Sequence, residues 1–298
     1  MPPPKPAPLQ PSELGTKEYW DNLYATELAN HTSNPQDTGT VWFDDADAEA
    51  KMVQYLAALA DDDNDENEEG SFRARTILDL GCGNGSLLRA VREELFAEGL
   101  EEEEGGDGTK AAPPPPRLLG VDYSEASIAL AQSVNDQEEE DDDDDEDDDD
   151  AKGAVPITFR VWDMLQGSAD DLDCPGGWDL VLDKGTFDAI SLGNSAPQQG
   201  QQGRQGGDGQ DGQQTAGPSS VEVQYRAQII KLLRPGGRFL ITSCNWTETE
   251  LCAWMEDDEE RARGAWLVKA GRVAYPSFQF GGVQGQTVCT VCFEKVAA

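Results

Sequence analysis

Histidine is almost absent from this chain: His31 is the only one among 298 residues. It lies outside every motif discussed below, so imidazole base catalysis is not expected. Positive charge is also scarce. Lys and Arg number 22 against 59 Asp and Glu, a formal net charge of -37. Such a surface repels phosphate, which excludes non-specific nucleic-acid binding. No apolar run approaches the ~18 residues of a membrane span. The first ten residues, MPPPKPAPLQ, lack the apolar core of a secretory leader, so a cytoplasmic location is expected. The six cysteines (Cys82, Cys174, Cys244, Cys252, Cys289 and Cys292) then read as reduced thiols. Cys289-x-x-Cys292 has no second ligand pair, and on a strand its two thiols face opposite sides, so no metal site is expected.

The negative charge that is present is clustered. Of the 59 acidic residues, 29 fall in four runs: 61–69, 101–104, 138–150 and 256–260. Low-complexity loops are expected near 61–70, 99–116, 136–153 and 195–219, the last rich in Gln and Gly. Loops tolerate such insertions at small entropic cost. Residues 1–14 are Pro-rich and read as a loose, disordered tail. Residues 15–298 then form a single domain around one core. Short apolar runs at Thr76–Leu80, Arg117–Asp122, Pro156–Val161, Trp178–Asp183 and Arg238–Ser243 predict strands. Helical periodicity intervenes over 84–98, after Ser124, over 221–233 and over 247–255. Two late runs, 265–270 and 287–295, predict a closing antiparallel pair. The fold expected is α/β, a doubly wound, mostly parallel, seven-stranded Rossmann-like sheet.

Between the first strand and first helix runs Asp79-Leu80-Gly81-Cys82-Gly83-Asn84-Gly85. The glycines permit a tight turn and close approach of backbone to ligand. Asp122 ends the next strand, where an acid accepts both hydroxyls of an adenosine ribose. Dinucleotide sites usually carry G-x-G-x-x-G facing a pyrophosphate. Here the pattern is G-x-G-x-G, and Asp79 just before it would repel a pyrophosphate but attract an ammonium. S-adenosylmethionine, with adenosine, an ammonium and a sulfonium, suits this turn better than a nicotinamide dinucleotide.

These motifs resemble those of the seven-strand, class I S-adenosylmethionine-dependent methyltransferases. The strings DKGTFDAISL (Asp183–Leu192) and ITSCNWT (Ile241–Thr247) narrow the resemblance to the lysine methyltransferases of translation elongation factor 1-alpha. Further matching blocks are Tyr19-Trp20-Asp21, Trp42-Phe43, Gly120–Ser124 and Phe278–Gly282. The resemblance implies S-adenosylmethionine as cofactor, a protein-lysine N-methyltransferase activity, and elongation factor 1-alpha as partner of a monomeric enzyme. With local chemistry it implies roles for single residues. Gly81 and Gly83 line the amino-acid end of the cofactor, with Asp79 as acidic neighbour. Asp122 holds the ribose, Tyr123 and Met164 pack by the adenine, and Asp163 accepts from its amino group. Trp42 folds over the cofactor or packs an N-terminal helix. Asp183 accepts from and orients the substrate amine, or else caps the following helix. Asn245 and Trp246 wall the substrate channel, or else serve loop packing. Lys184, a cation beside a cationic substrate, is expected to point away. The rival readings are a small-molecule methyltransferase and a non-catalytic scaffold of the same fold.

Overall fold

The computed structural model describes residues 5–62, 72, 74–96, 116–143, 155–193, 220–276, 278–280 and 283–298. After a 3-10 turn at Glu13–Gly15 come α1 (Lys17–Ser33), α2 (Ala48–Asp62), β1 (Thr76–Leu80), α3 (Ser86–Phe96), β2 (Arg117–Asp122) and α4 (Glu125–Asp143). Then follow β3 (Ile157–Val161), β4 (Trp178–Lys184), α5 (Thr186–Ser191), α6 (Val221–Leu232), β5 (Leu233–Ser243), α7 (Glu248–Met255) and α8 (Asp258–Ala262). The chain closes with β6 (Ala265–Val273), a short hairpin of β7 (Phe278–Phe280) and β8 (Val283–Gly285), and β9 (Cys289–Ala297).

Seven strands pair in the order β3-β2-β1-β4-β5-β9-β6. The first five are parallel, while β9 runs antiparallel to both β5 and β6. The expected sheet and its antiparallel end are both present. Successive side chains leave a strand on opposite faces, and the sequence uses this to fill two cores. Leu78, Leu80, Val181, Phe239 and Ile241 join one cluster with Phe187, Tyr225 and Leu251. Ile77, Leu180, Leu182 and Leu240 join the other with Met52, Leu87 and Val91. Cys289 and Cys292 divide the same way, Cys289 packing against the first cluster and Cys292 lying inside the second. Thr247 caps α7 in a reciprocal box with Glu250, satisfying two donors that the helix start would otherwise leave free.

Several features differ from the sequence reading. The fifth strand begins at Leu233 rather than Arg238, because Leu233 pairs with Trp178 before a register shift and Gly236 takes a positive φ of 73°. Helix α4 continues to Asp143, into the acidic run expected to be loop from 136. Its first acids have partners: Glu138 meets Arg89 at 2.9 Å and Glu139 meets Arg92 at 2.9 Å, both arginines being buried on α3. The N-terminal residues 5–14, expected to be loose, are held: Lys5 pairs with Asp257 and the Ser12 amide bonds to the Leu192 carbonyl. The Gln/Gly-rich segment 195–219 and residues 63–70, 99–115 and 144–153 lie outside the described residues. Among the described residues no helix is long and apolar enough to cross a membrane.

Candidate active site

In an open α/β sheet, ligands bind beyond the carboxyl ends of the strands where the strand order reverses. Here that point lies between β1 and β4, with β2 on the other side of β1. The register pairs Leu80 with both Val121 and Asp183, so the Gly81 turn, Asp122 and Asp183 emerge side by side. Above these ends is a cavity of about 380 Å³, within the range usual for small-molecule sites.

Its floor is the glycine turn. Gly81 has φ of 64° and Gly83 of 56°, a backbone region that disfavours side chains. A Cβ on Gly81 would also lie 2.0 Å from Thr186 Oγ1, which donates to the Leu80 carbonyl at 2.7 Å. Asp122 stands beside the turn, its Oδ1 accepting from the Ser124 amide at 2.9 Å and its Oδ2 from the Gly83 amide at 3.3 Å. Burial raises the Asp122 carboxyl above its ordinary range, opposed by these donors. Tyr123, Met164 and Asp163 line the same end of the cavity. Asp163 is tied into its own turn, its Oδ1 accepting from the amides of Leu165 and Gln166 and its Oδ2 from the Gln166 side chain.

Trp42 also lines the cavity, edge-on to Trp20 of α1 with ring centroids 5.1 Å apart. Lys184 also lines the cavity, contrary to the expectation that it points away. Its ammonium is occupied: it donates to the Trp42 carbonyl at 3.1 Å and lies 3.7 Å from Glu49. Asp79 lies beneath the turn, on the strand face shared with Ile77, and is 2% exposed. Burial holds its carboxyl well above the ordinary range, opposed by Lys184 and reinforced by Asp183 and Glu49.

The three residues expected to face the substrate amine separate. Asn245 is exposed and lines the cavity. Asp183 is fully buried and does not line it. Its carboxylate faces the α5/α6 side, accepting from the amides of Thr186 at 2.8 Å and Phe187 at 3.0 Å and from the Tyr225 hydroxyl. The helix-capping alternative describes these contacts. Trp246 is 4% exposed and packs in the core between Phe187 and Trp254, so it presents no ring to the cavity. The carboxylate that does reach this end is Asp188, which the sequence reading left without a role. Its Oδ1 accepts from Ser243 Oγ at 2.5 Å and its Oδ2 from the Cys244 amide at 2.8 Å. Burial raises its carboxyl above the usual range. Asp188 lies inside the DKGTFDAISL string, but nothing in the string says which of its two acids faces inward.

The donor set fits S-adenosylmethionine. The charged groups lining the cavity are Asp122, Asp163, Asp188, Lys17 and Lys184. Lys184 is engaged as described, and Lys17 pairs with Asp21 and sits 4.6 Å over the Tyr123 ring. What remains toward a ligand is acid among aromatic and thioether walls, suited to a cationic adenosine compound and not to a pyrophosphate.

A family profile described as "Methyltransferase domain" matches residues 71–282. The chain is 36% identical over 292 residues to the protein-lysine N-methyltransferase EFM4 of Saccharomyces cerevisiae, covering 97% of each. It is 36% identical to efm4 of Schizosaccharomyces pombe, covering 96% of this chain and 95% of that protein. With the EEF1A lysine methyltransferase 2 of Danio rerio it shares 28% identity over 96% of this chain and 89% of that protein.

Proposed function

The chain belongs to the methyltransferase domain family and, within it, to the family of the EFM4 protein-lysine N-methyltransferases, and on that premise we propose that its substrate is a lysine of translation elongation factor 1A. The substrate assignment rests on the likeness to EEF1A lysine methyltransferase 2, which aligns over nearly the whole chain. The observation that carries the chemistry is the acid-lined cavity over the Gly81 turn, with Asp122 at its floor.

When bound, S-adenosylmethionine supplies an electrophilic methyl group. Asp122 would accept from the ribose hydroxyls, and Tyr123, Met164 and Asp163 would hold the adenine. Gly81 and Gly83 let the backbone approach the amino-acid end, with Asp79 buried beneath them. Trp42 closes the wall above. In-line transfer requires a positioned and neutral amine, whereas a free lysine has a pKa of ~10.4. Asn245 and Asp188 are among the polar groups that line the cavity beside Thr186 and Cys244. Asp188, held by Ser243 and Cys244, orients the amine and draws proton density from its nitrogen. Asp183 acts one step removed, by fixing the start of the helix that carries Asp188.

The test is transfer of labelled methyl from S-adenosylmethionine to purified elongation factor 1A, with mass spectrometry of the product. Label on a lysine of that protein is expected. Label confined to small molecules of a lysate would overturn the substrate assignment.

A further inference from the structure

The Pro-rich residues before α1 run from one side of the domain to the cavity, fastened at several points. Lys5 Nζ is 2.7 Å from Asp257 Oδ2 and lies 5.6 Å from the centre of the Trp254 ring. Leu9 packs against the core cluster that holds Phe187 and Tyr225. The Ser12 amide donates to the Leu192 carbonyl at the end of α5 at 3.1 Å. At Gly15 the backbone lies so close to α5 that a Cβ would fall 2.1 Å from the Leu192 carbonyl carbon. The Leu14 carbonyl accepts from Trp20 Nε1 at 2.7 Å, joining this stretch to the aromatic wall that includes Trp42. Leu14 and Gly15 themselves line the cavity.

We propose that residues 5–15 form a strap that completes the wall of the cofactor cavity, and that Lys5, through Asp257, is a positioning residue holding that wall in place. The inference rests on the reading of the cavity as the S-adenosylmethionine site. The sequence Lys5-Pro6-Ala7-Pro8-Leu9-Gln10-Pro11-Ser12 suits a strap. Proline fixes φ near −65° and lacks an amide hydrogen, so the segment keeps an extended shape without sheet partners. A chain already restricted when free loses less entropy on being laid across a surface. The fastening is local and individually weak: Lys5 is 39% exposed and its ion pair is partly in water. Weak anchors suit a wall that opens at each turnover to exchange S-adenosylhomocysteine for fresh cofactor. The close backbone approach at Gly15 sets the closed position, because no larger residue fits against Leu192.

The experiment compares the full chain, Lys5→Ala, Lys5→Arg and a chain lacking residues 1–12. Stopped-flow tryptophan fluorescence reads the dissociation rate of S-adenosylhomocysteine, reported by Trp20 and Trp42 at the cavity. Melting of the ligand-free proteins is measured alongside. Removing residues 1–12 is expected to speed dissociation roughly tenfold, the effect of about one net hydrogen bond with its packing. Lys5→Ala is expected to speed it about two- to fivefold, as for a partly exposed ion pair. Lys5→Arg keeps the charge on Asp257 and is expected to restore the parent rate. If the shortened chain fails to fold, the Lys5 variants decide alone, because Lys5 is a surface residue. Unchanged dissociation rates in a parent chain that binds the ligand, with or without a lowered melting temperature, would reduce the strap to a stabilising tail. A parent chain that does not bind S-adenosylhomocysteine would overturn the cofactor reading itself, and the strap proposal with it.

Discussion

Tyr225, in the second turn of α6, donates its phenolic hydrogen bond to Asp183 at the end of β4, and neither residue has any exposed surface. The bond joins a residue of the central sheet to one 42 positions later, across the intervening segment 194–219. It explains why Asp183 turns away from the cavity: the Tyr225 hydroxyl and the first two amides of α5 together occupy its carboxylate. Burial lifts the Asp183 carboxyl to about 7, the Tyr225 bond opposes this, and neighbouring Asp188 adds to it.

This shift has a definite sign. The folded protein holds the Asp183 proton more tightly than the unfolded chain, so the stabilisation from that proton is complete below pH 3.8 and is lost as pH rises through about 7. Asp183→Asn is neutral throughout this window. Its melting temperature is therefore expected to fall less than that of the parent between pH 4 and pH 7 in calorimetric scans. Parallel curves would mean that Asp183 titrates alike in both states.

Trp246 is placed as core and not as substrate wall, and the two roles separate by substitution. Trp246→Ala is expected to cost about 3–5 kcal/mol, the usual penalty for emptying a buried aromatic site. Trp246→Phe keeps the contacts with Phe187 and Trp254 and is expected to retain the parent kcat. A Phe variant that folds normally but loses kcat would return Trp246 to the catalytic apparatus.

The first acids of the long acidic run act on the fold. Arg89 and Arg92 are 7% and 8% exposed, and Glu138 and Glu139 are their carboxylate partners. Because the glutamates are close to half exposed, each of Glu138→Ala and Glu139→Ala is expected to cost only about 1–2 kcal/mol, less than a fully buried pair. Urea midpoints measure this. Arg89 also donates to the Asn84 carbonyl in the glycine turn at 2.7 Å, so Glu138→Ala is the variant expected to weaken cofactor binding as well.

Asp122→Ala removes the acceptor beside Gly83 and the charge at the cavity floor. Titration calorimetry with S-adenosylhomocysteine is expected to show an affinity lower by roughly 1.5–3 kcal/mol, the value of a hydrogen bond to a charged group. An unchanged affinity would remove Asp122 from the ribose site.

The features legible in the sequence are those governed by short-range geometry. Short continuous apolar runs in β1, β2, β4 and β5 announce strands buried on both faces, because successive side chains leave a strand on opposite sides wherever it is placed. The Gly81–Gly85 turn and Asp122 were legible for the same reason: positive φ and a strand-end acid are local properties. The direction of a side chain at a strand end is not local. Asp183 and Asp188 are five residues apart in one string, and which of them faces the cavity depends on Tyr225 and Ser243, which arrive from distant segments. Trp246 is drawn inward by Phe187 and Trp254, since burying a large aromatic surface outweighs any preference of its loop. The N-terminal prolines carry no hydrophobic periodicity and read as a tail. The stretch is held in place only where Asp257 and Leu192, some 180 to 250 residues later, supply the charge and the carbonyl that fasten Lys5 and Ser12. By itself the sequence determined the sheet, the glycine turn and the cofactor class, because each follows from residues adjacent along the chain or repeated at a fixed period. Only the tertiary structure decided which acids, aromatics and N-terminal residues line the cavity, because that depends on contacts between segments far apart in the chain.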